Sequence, residues 1–271
     1  SYVGVGTVEF LLDKDGQFYF LEMNTRLQVE HPVTECVTGI DLVSLQFSIA
    51  EGGALPLSQE DVTLKGHAIE VRIYAEDPSQ SFRPQTGTVL IYEAPYGNGI
   101  RVDSGIRQGS EISPYYDAMI AKLIAWGETR DVARRRLVNA LRGTTVLGLT
   151  TNKAFLLQLL EHPDFVSGFA TTAMIDDAVL DQAAQFAVPT IDELSLAAVT
   201  LHAGHGQLAN WSNAEPILRR EVFEHAGERS VVQLLSTPSG FRVTVGDESR
   251  RIAVEACANG RLRYAMDGVS S

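Results

Sequence analysis

The most constraining feature is a pair of alternating apolar segments joined by Asp15-Gly16 near the start of the chain. Residues 7–12 and 17–24 alternate between apolar and polar side chains, which is typical of strands. An Asp-Gly pair between two such segments is a strong signal for a two-residue hairpin turn. With that turn, Glu9 lies directly opposite Glu22.

Two glutamates that face each other are unusual in a purely structural hairpin. Like charges directly opposite across a ladder are destabilising, and Asn24 shares a face with Glu22 because strand side chains repeat every two residues. Magnesium is commonly bound by one or two carboxylates together with substrate phosphates. The pattern therefore predicts either a magnesium site at Glu9, Glu22 and Asn24 or a solvated acidic face.

A loop rich in polar side chains follows the second strand. Arg26 is suited to bidentate binding of a carboxylate-like anion, Gln28 can add a hydrogen bond, and Glu30 can act as a base. Pro32 disfavours a helical conformation at His31. Such residues are often ordinary surface charges, but their position directly after the candidate metal strand favours a binding loop.

Several long motifs together resemble one known family. The strings GTVEFL and EMNTRLQVEHPVTE resemble the biotin carboxylase component of biotin-dependent carboxylases, within the ATP-grasp superfamily. Four further strings resemble the same family in the same order. They are GHAIEVRIYAEDP, FRPQTG, SPYYDAMIAKLIAWGETRDVARRRL and TTNKAFLLQLLEHPDF. The resemblance covers about the first 180 residues.

The resemblance implies an α+β fold in three parts. These are the C-terminal part of an ATP-grasp domain at residues 1–55, a biotin carboxylase C-terminal domain at 65–180, and a helix plus antiparallel β segment at 190–271. The last part corresponds in position to a partial carboxyltransferase-docking domain of acyl-CoA carboxylase alpha subunits.

The resemblance also implies cofactors and the residues that hold them. Glu9, Glu22 and Asn24 would bind Mg²⁺ (or Mn²⁺) that bridges the phosphates of ATP. Biotin would arrive on a carrier domain absent from this chain.

Bicarbonate and biotin would be handled by the loop and by one arginine further along the chain. Arg26, Gln28 and the Val29 backbone would hold bicarbonate, which is the substrate, and Glu30 would take its proton. Arg72 would lie against the biotin ureido group and stabilise an enolate-like oxygen.

Without the resemblance, the residues around Arg72 have a simpler interpretation. Glu70 and Arg72 are two positions apart in the predicted strand 67–74, so they share one face. A Glu–Arg pair on a surface contributes little stability. The resemblance favours the functional role for Arg72.

Composition limits the other classes of function. The net charge of −12 argues against binding nucleic acid without regard to sequence, which depends on Lys and Arg. Cys36 and Cys257 lack the close spacing of a zinc or redox pair, which favours a reducing compartment. His202, His205 and His225 have no ligand-like spacing, so we expect no metal cluster there. No apolar run has the length of a membrane span, which predicts a soluble protein.

Hydrophobic periodicity predicts the remaining elements. Helices are predicted over residues 33–38, 42–51, 130–142, 153–161 and 192–202, and strands over 67–74, 87–94, 119–126, 220–225, 230–235, 241–245, 251–256 and 262–266. We expect Gly39 to end the first helix, Asp41 to cap the second, which should bury one face in a core, and Asn152 to cap the fourth. Arg134–Arg136 should lie on the solvated face of the third helix.

The chain has the features expected of an internal fragment. It starts without Met, and no Met is followed by the Lys to which biotin would be attached. The Gly-rich lid and phosphate-binding lysines of the resembled family are also not found. We therefore expect this fragment to be inactive by itself.

Three functions remain open. The first is the alpha subunit of an acyl-CoA carboxylase, similar to the methylcrotonyl-CoA and geranyl-CoA branch, with a biotin carrier domain and a carboxyltransferase beta subunit as partners in an oligomer. The second is a biotin carboxylase for pyruvate, urea or acetyl-CoA carboxylation. The third is a noncatalytic docking and assembly module. Neither nucleic acid nor membrane is an expected partner, and the resemblance implies a cytoplasmic protein, or a mitochondrial matrix protein if eukaryotic.

Overall fold

The computed structural model describes residues 2–175, 188–203, 218–225, 227–258 and 261–270. Two compact units divide the chain, residues 1–185 and 186–271. Both units combine helices with antiparallel strands, so the predicted α+β class is confirmed.

The first unit opens with the predicted hairpin, formed by β1 (Thr7–Leu12) and β2 (Phe18–Asn24). The predicted two-residue turn is wrong. The backbone N–H of Asp13 donates to Gln17 O, and Asp13 Oδ1 accepts from the N–H groups of Asp15 and Gln17. Gly16 closes this wider turn at a φ of 80°, which is a conformation that glycine adopts without strain.

The predicted pairing of Glu9 with Glu22 is nevertheless confirmed. The wider turn moves the register by one residue, so that Phe10 pairs with Phe20. A bulge between Glu9 and Phe10 then moves it back and leaves Leu21 unpaired. Bulges of this kind redirect side chains near functional sites.

Two short helices follow, α1 (His31–Thr38) and α2 (Leu42–Ala50). Helix α1 includes His31, contrary to our expectation, because a proline is tolerated in the first helical turn. Gly39 and Asp41 end and cap these helices as predicted. The expected core face of α2 is wrong, since none of its residues is buried and Phe47 is 68% exposed.

A three-stranded antiparallel sheet forms the centre of the first unit. Its strands are β3 (His67–Tyr74), β8 (Ile100–Ser104) and β10 (Met119–Gly127), in the order β3-β10-β8. Three helices follow β10, namely α3 (Arg130–Gly143), α4 (Lys153–Glu161) and α5 (Pro163–Ser167). One sheet face packs on α3 and α4 through apolar side chains, including Val71, Ile73, Leu123, Leu137, Leu141 and Leu160.

The other face of the sheet is charged and lies under α1. Helix α1 packs against β3 and β10. Lys122 pairs in register with Arg72 on one side and with Asp103 on the other. Ile124 likewise pairs with Glu70 and Arg101. We call Glu70, Arg72, Arg101, Asp103 and Lys122 the charged face.

The arginine run of α3 is only partly solvated, which corrects our prediction. Arg134 and Arg136 are half-buried and donate to the carbonyls of Leu160 and Trp126. Arg135 alone follows the prediction, since it is exposed beside Asp131.

Short strands and turns complete the first unit. The predicted strand 87–94 is split in two, because its halves pair with different partners. The short strands are β4 (Glu76–Asp77), β5 (Arg83–Pro84), β6 (Gly87–Thr88), β7 (Ile91–Glu93), β9 (Glu111–Ile112) and β11 (Thr145–Leu147). The 3-10 turns are Gln59–Asp61, Pro78–Gln80 and Thr172–Met174.

Asn152 has a different role from the predicted cap of α4. Its side chain makes no capping hydrogen bond. Instead, Nδ2 donates to Arg72 O at 3.1 Å, and Oδ1 accepts from the N–H of Tyr74 at 2.9 Å. This buried amide therefore attaches the start of α4 to the strand that carries Arg72.

The second unit is a helix on an antiparallel sheet, as predicted. Helix α6 (Ile191–Ala203) contributes Leu194, Ala198 and Val199 to a core with Leu234 and Phe241 of the sheet. The strands, in spatial as well as chain order, are β12 (Leu218–His225), β13 (Glu228–Thr237), β14 (Gly240–Val245), β15 (Glu248–Ala258), β16 (Arg261–Met266) and β17 (Val269–Ser270).

Two of the three candidate histidines, His202 and His225, lie within the described residues. His202 contacts Arg219 at 2.7 Å and Glu221 at 2.9 Å, while His205 lies outside the described residues.

No single helix in the described ranges is long and apolar enough to cross a membrane. The bent pair α1 and α2, at 100° to each other, passes that length and composition test only when joined.

We predict that Asn152→Ala destabilises the first unit. The substitution leaves the N–H of Tyr74 and the carbonyl of Arg72 without their side-chain partner, and each orphaned buried group costs about 1–3 kcal/mol. The expected loss in free energy of unfolding is about 2–4 kcal/mol, measured by urea denaturation. Gln108→Ala, at an exposed position, is the control, and equal stability of both variants would contradict the role of Asn152.

Candidate functional site

The hairpin brings the predicted metal residues together. Asn24 Nδ2 donates to Glu9 Oε1 at 2.8 Å and to Glu22 Oε1 at 3.1 Å. One amide thus bridges two carboxylates that face each other across the hairpin. The remaining carboxylate oxygens and Asn24 Oδ1 form an oxygen donor set that fits Mg²⁺, which completes its shell with water and phosphate. Among the described residues, no cluster of three or more His, Cys, Asp or Glu offers another metal site.

The loop after β2 extends this donor set. Gln28 Nε2 lies 3.5 Å from Glu9 Oε1, and Gln28 Oε1 accepts from Arg26 Nη1 at 3.0 Å. Arg26 Nη1 also lies 3.3 Å from Leu27 O. Arg26 remains exposed, so its guanidinium can still reach an anion beside the acidic pair.

Glu30, the predicted base, and Arg72, the predicted biotin-side cation, form an ion pair. Arg72 Nη2 donates to Glu30 Oε2 at 2.7 Å, across 42 positions of sequence. Their side chains are 38% and 54% exposed, so the pair is open to a ligand. Glu30 is also the residue that precedes α1, where a negative charge interacts favourably with the helix dipole. The structure therefore joins the loop to β3 at two of the predicted site residues.

Lys122 is a functional candidate that our sequence analysis missed. Its Nζ donates to Val29 O at 2.8 Å and lies 3.4 Å from Asp103 Oδ2. This buried lysine fixes the backbone of the predicted bicarbonate loop from below. The available signal was one lysine within the otherwise apolar run MIAKLIAWG, since an isolated buried charge needs a specific partner.

Two further contacts fix α1 over the charged face. Arg101 donates to Glu35 Oε2 at 2.6 Å and to both oxygens of Asp103 at 2.8 and 3.0 Å. His31 Nδ1 lies 2.7 Å from Gln28 O, which ties the loop to the first turn of α1. Burial opposes ionisation of Asp103, yet the neighbouring Arg101 and Lys122 lower the pKa of its carboxyl.

Glu70 is a second residue of the charged face to which the sequence analysis gave no functional role. The simple interpretation paired it with Arg72, but Arg72 pairs with Glu30. Both carboxylate oxygens of Glu70 are buried, and neither has a hydrogen-bond partner among the described residues. Burial raises the pKa of the Glu70 carboxyl to about 7, although Lys122 and Arg72 act in the opposite direction.

Two family models match most of the first unit. Residues 1–58 match the family described as carbamoyl-phosphate synthase L chain, ATP binding domain. Residues 70–177 match the family described as biotin carboxylase C-terminal domain. The boundary between the matches separates the hairpin and loop from the charged face, so the site is built from both.

Two curated relatives are a biotin carboxylase and the alpha subunit of an acyl-CoA carboxylase. The chain is 50% identical over 177 residues to a biotin carboxylase of Nostoc, covering 65% of this chain and 40% of the relative. It is 47% identical over 202 residues to the mitochondrial methylcrotonoyl-CoA carboxylase subunit alpha of Dictyostelium discoideum, covering 74% of this chain and 29% of the relative. The chain thus spans 40% or less of these two relatives.

A solved structure shares both fold and sequence. It is the biotin carboxylase domain of 2-oxoglutarate carboxylase from Hydrogenobacter thermophilus, in complex with MgADP, ADP and bicarbonate. The TM-score is 0.64 at 44% identity, covering 68% of this chain and 40% of that one. The family models, the relatives and this structure agree: about two thirds of the chain is similar to biotin carboxylases, and residues 70–177 match their C-terminal domain.

Proposed function

We propose that the chain forms the metal, bicarbonate and biotin side of a biotin carboxylase, which uses ATP and bicarbonate to carboxylate biotin. The observation that carries this proposal is the Glu30–Arg72 ion pair, which joins the loop beside the acidic hairpin to the charged face. We propose the three-part division at residues 1–55, 65–180 and 190–271 for the same polypeptide.

The acidic hairpin would bind the metal of the nucleotide. Mg²⁺ (or Mn²⁺), when bound, would supply positive charge that neutralises charge as a phosphoryl group of ATP is transferred. Glu9 and Glu22 offer carboxylate oxygens to it, and Asn24 holds both carboxylates in place.

The loop would bind bicarbonate and remove its proton. Arg26 presents an exposed guanidinium next to Gln28, and charge-assisted hydrogen bonds from a guanidinium suit an oxyanion. Lys122 fixes the carbonyl of Val29, which sets the direction of the backbone groups around it. Glu30 directly follows Val29 in the chain and would take the bicarbonate proton, which makes bicarbonate a better nucleophile toward the terminal phosphate.

Arg72 would act on biotin. Proton uptake by Glu30 removes the negative charge that holds the guanidinium of Arg72. Arg72 is then free to face the ureido group, where a fixed positive charge stabilises the negative charge that develops on its oxygen.

The partners follow from the relatives and from the second unit. We propose the alpha subunit of an acyl-CoA carboxylase of the methylcrotonyl-CoA or geranyl-CoA type, because the Dictyostelium discoideum subunit is 47% identical over 202 residues. A biotin carrier domain and a carboxyltransferase beta subunit would complete an oligomer in the cytoplasm or the mitochondrial matrix. The helix and six-stranded sheet of residues 190–271 would dock on the carboxyltransferase.

We predict that Glu30→Gln lowers bicarbonate-dependent ATP cleavage by about 10²–10⁴-fold, the usual contribution of a general base. The measurement is ADP release by the full-length gene product, with and without free biotin, because the chain spans 40% or less of its named relatives. Glu128→Gln, an exposed glutamate outside the site, serves as the matched control.

Two results of that assay would contradict the proposal at different points. Near-normal turnover by Glu30→Gln would remove Glu30 from the role of base. ATP cleavage by the unmodified protein that is indifferent to biotin would indicate another ATP-grasp ligase, and Arg72 would lose its assigned role.

We also predict that Glu9→Gln raises the Mg²⁺ concentration needed for half-maximal ATP cleavage by at least about tenfold, since it removes one charged ligand. A magnesium titration of ADP release measures the shift. Asp15→Asn removes a carboxylate from the exposed tip of the same hairpin and should leave the requirement unchanged. An equal shift in both variants would indicate a general effect of hairpin charge.

A further inference from the structure

The charged face and the residues above it form an almost closed set of ion pairs. Arg72 pairs with Glu30, Arg101 with Glu35 and Asp103, and Lys122 with Asp103. Three cations therefore meet three carboxylates, and each of these groups has at least one partner within 4.0 Å.

Glu70 is a fourth carboxyl beside this set, and it has no ion-pair partner in it. It lies on the same face of β3 as Arg72, opposite Ile124 of β10, with both oxygens buried and unpartnered. A buried, unpaired carboxylate is costly, whereas its protonated form is not charged. The set is electrically balanced when Glu70 carries a proton and has one excess negative charge when it does not.

The proposed reaction changes the charge of this set. When Glu30 takes the proton of bicarbonate, one carboxylate disappears and Arg72 loses its anionic partner. Glu30 and Asp103 both raise the proton affinity of Glu70. Neutralising Glu30 therefore makes ionisation of Glu70 easier at the moment when Arg72 needs a new counter-charge.

We propose that Glu70 is a positioning residue for biotin carboxylation, which is protonated while Glu30 is ionised and becomes the counter-ion of Arg72 and Lys122 when Glu30 is protonated. The bicarbonate proton goes to Glu30 Oε2, the Glu70 proton goes to bulk water, and the net charge of the set is unchanged. This inference rests on the proposed function, because Glu30 acts as the base only in that reaction.

The charged and titratable groups around Glu70 come from every element on its side of the sheet. They are Arg72 and Tyr74 on β3, Lys122 on β10, Arg101 and Asp103 on β8, Glu30 before α1, and His31, Glu35 and Cys36 on α1. Helices α3 and α4 lie on the other side of the sheet, where the contacts with Val71 and Ile73 are apolar.

The direct test is the titration of the Glu70 side chain by carbon-13 NMR, with the signal assigned by Glu70→Gln. We expect a midpoint near 7 in the unmodified protein and a lower midpoint in Glu30→Gln, because removing a nearby negative charge favours ionisation. Glu128→Gln should leave the midpoint unchanged. An equal midpoint in Glu30→Gln and in the unmodified protein would overturn the coupling.

The kinetic test separates positioning from a merely structural role. In the full-length gene product, Glu70→Gln should lower biotin-stimulated turnover about tenfold and remove an ionisation near pH 7 from its pH profile. Bicarbonate-dependent ATP cleavage without biotin should stay within about twofold, because the acidic hairpin and Arg26 loop are intact. Glu70→Asp should restore part of the turnover and the ionisation, and an unchanged pH profile in Glu70→Gln would overturn the proposal.

The two tests keep the proposals distinguishable. If the unmodified protein shows no stimulation by biotin, the proposed function fails, and the NMR titration still measures whether Glu30 controls Glu70. If stimulation is present and the Glu70 midpoint ignores Glu30, only the further inference fails.

The raised pKa of Glu70 also predicts a pH-dependent effect on stability. A carboxyl with a folded pKa near 7, against an ordinary value of 4.5, destabilises the folded state as the pH rises from about 4.5 to 7. Glu70→Gln should therefore raise the thermal midpoint by about 2–8 °C at pH 8 and leave it unchanged at pH 4. The same shift at both pH values would show an effect of packing instead.

Discussion

The site depends on the attachment of one loop to one strand face. The loop between β2 and α1 has few backbone partners of its own, so its conformation is set by Lys122 below Val29 and by Arg72 beside Glu30. A buried lysine with a charge-assisted bond to a carbonyl holds that backbone more firmly than a neutral contact would. The loop thereby gains the rigidity of the sheet, which a binding site needs for preorganisation.

The sheet can hold the loop because one of its faces packs in the apolar core and the other is charged. In β3, Val71 and Ile73 enter the apolar core while Arg72 points to the site, as the two-residue period of a strand requires. Asn152 then fixes the backbone of Arg72 and Tyr74 from the start of α4. The position of the guanidinium is therefore determined by core packing and by a hydrogen bond from a residue 80 positions away.

Local patterns were sufficient for the elements, but not for the partners. The sequence predicted the strand 67–74 and the pairing of Glu9 with Glu22, because strand periodicity and turn signals are local. It did not predict the bulge that compensates for the wider turn, since that depends on how the whole ladder twists. It also missed the role of Lys122, whose partner Val29 is 93 residues away. The simpler interpretation that pairs Glu70 with Arg72 does not hold, because Arg72 pairs with Glu30.

The distribution of charge explains why the charged face and the residues above it contain four carboxyls but three cations. A guanidinium stays charged, so in the proposed reaction the half-buried face must offer Arg72 negative charge at every step. In the proposed reaction Glu30 cannot be both the proton acceptor and a permanent counter-ion, because accepting the proton removes its charge. A second carboxyl on the same face, buried enough to stay neutral until then, satisfies both requirements. Ionisation of that carboxyl lowers the stability of the folded state. The carboxyl lies on β3, the strand that also carries Arg72.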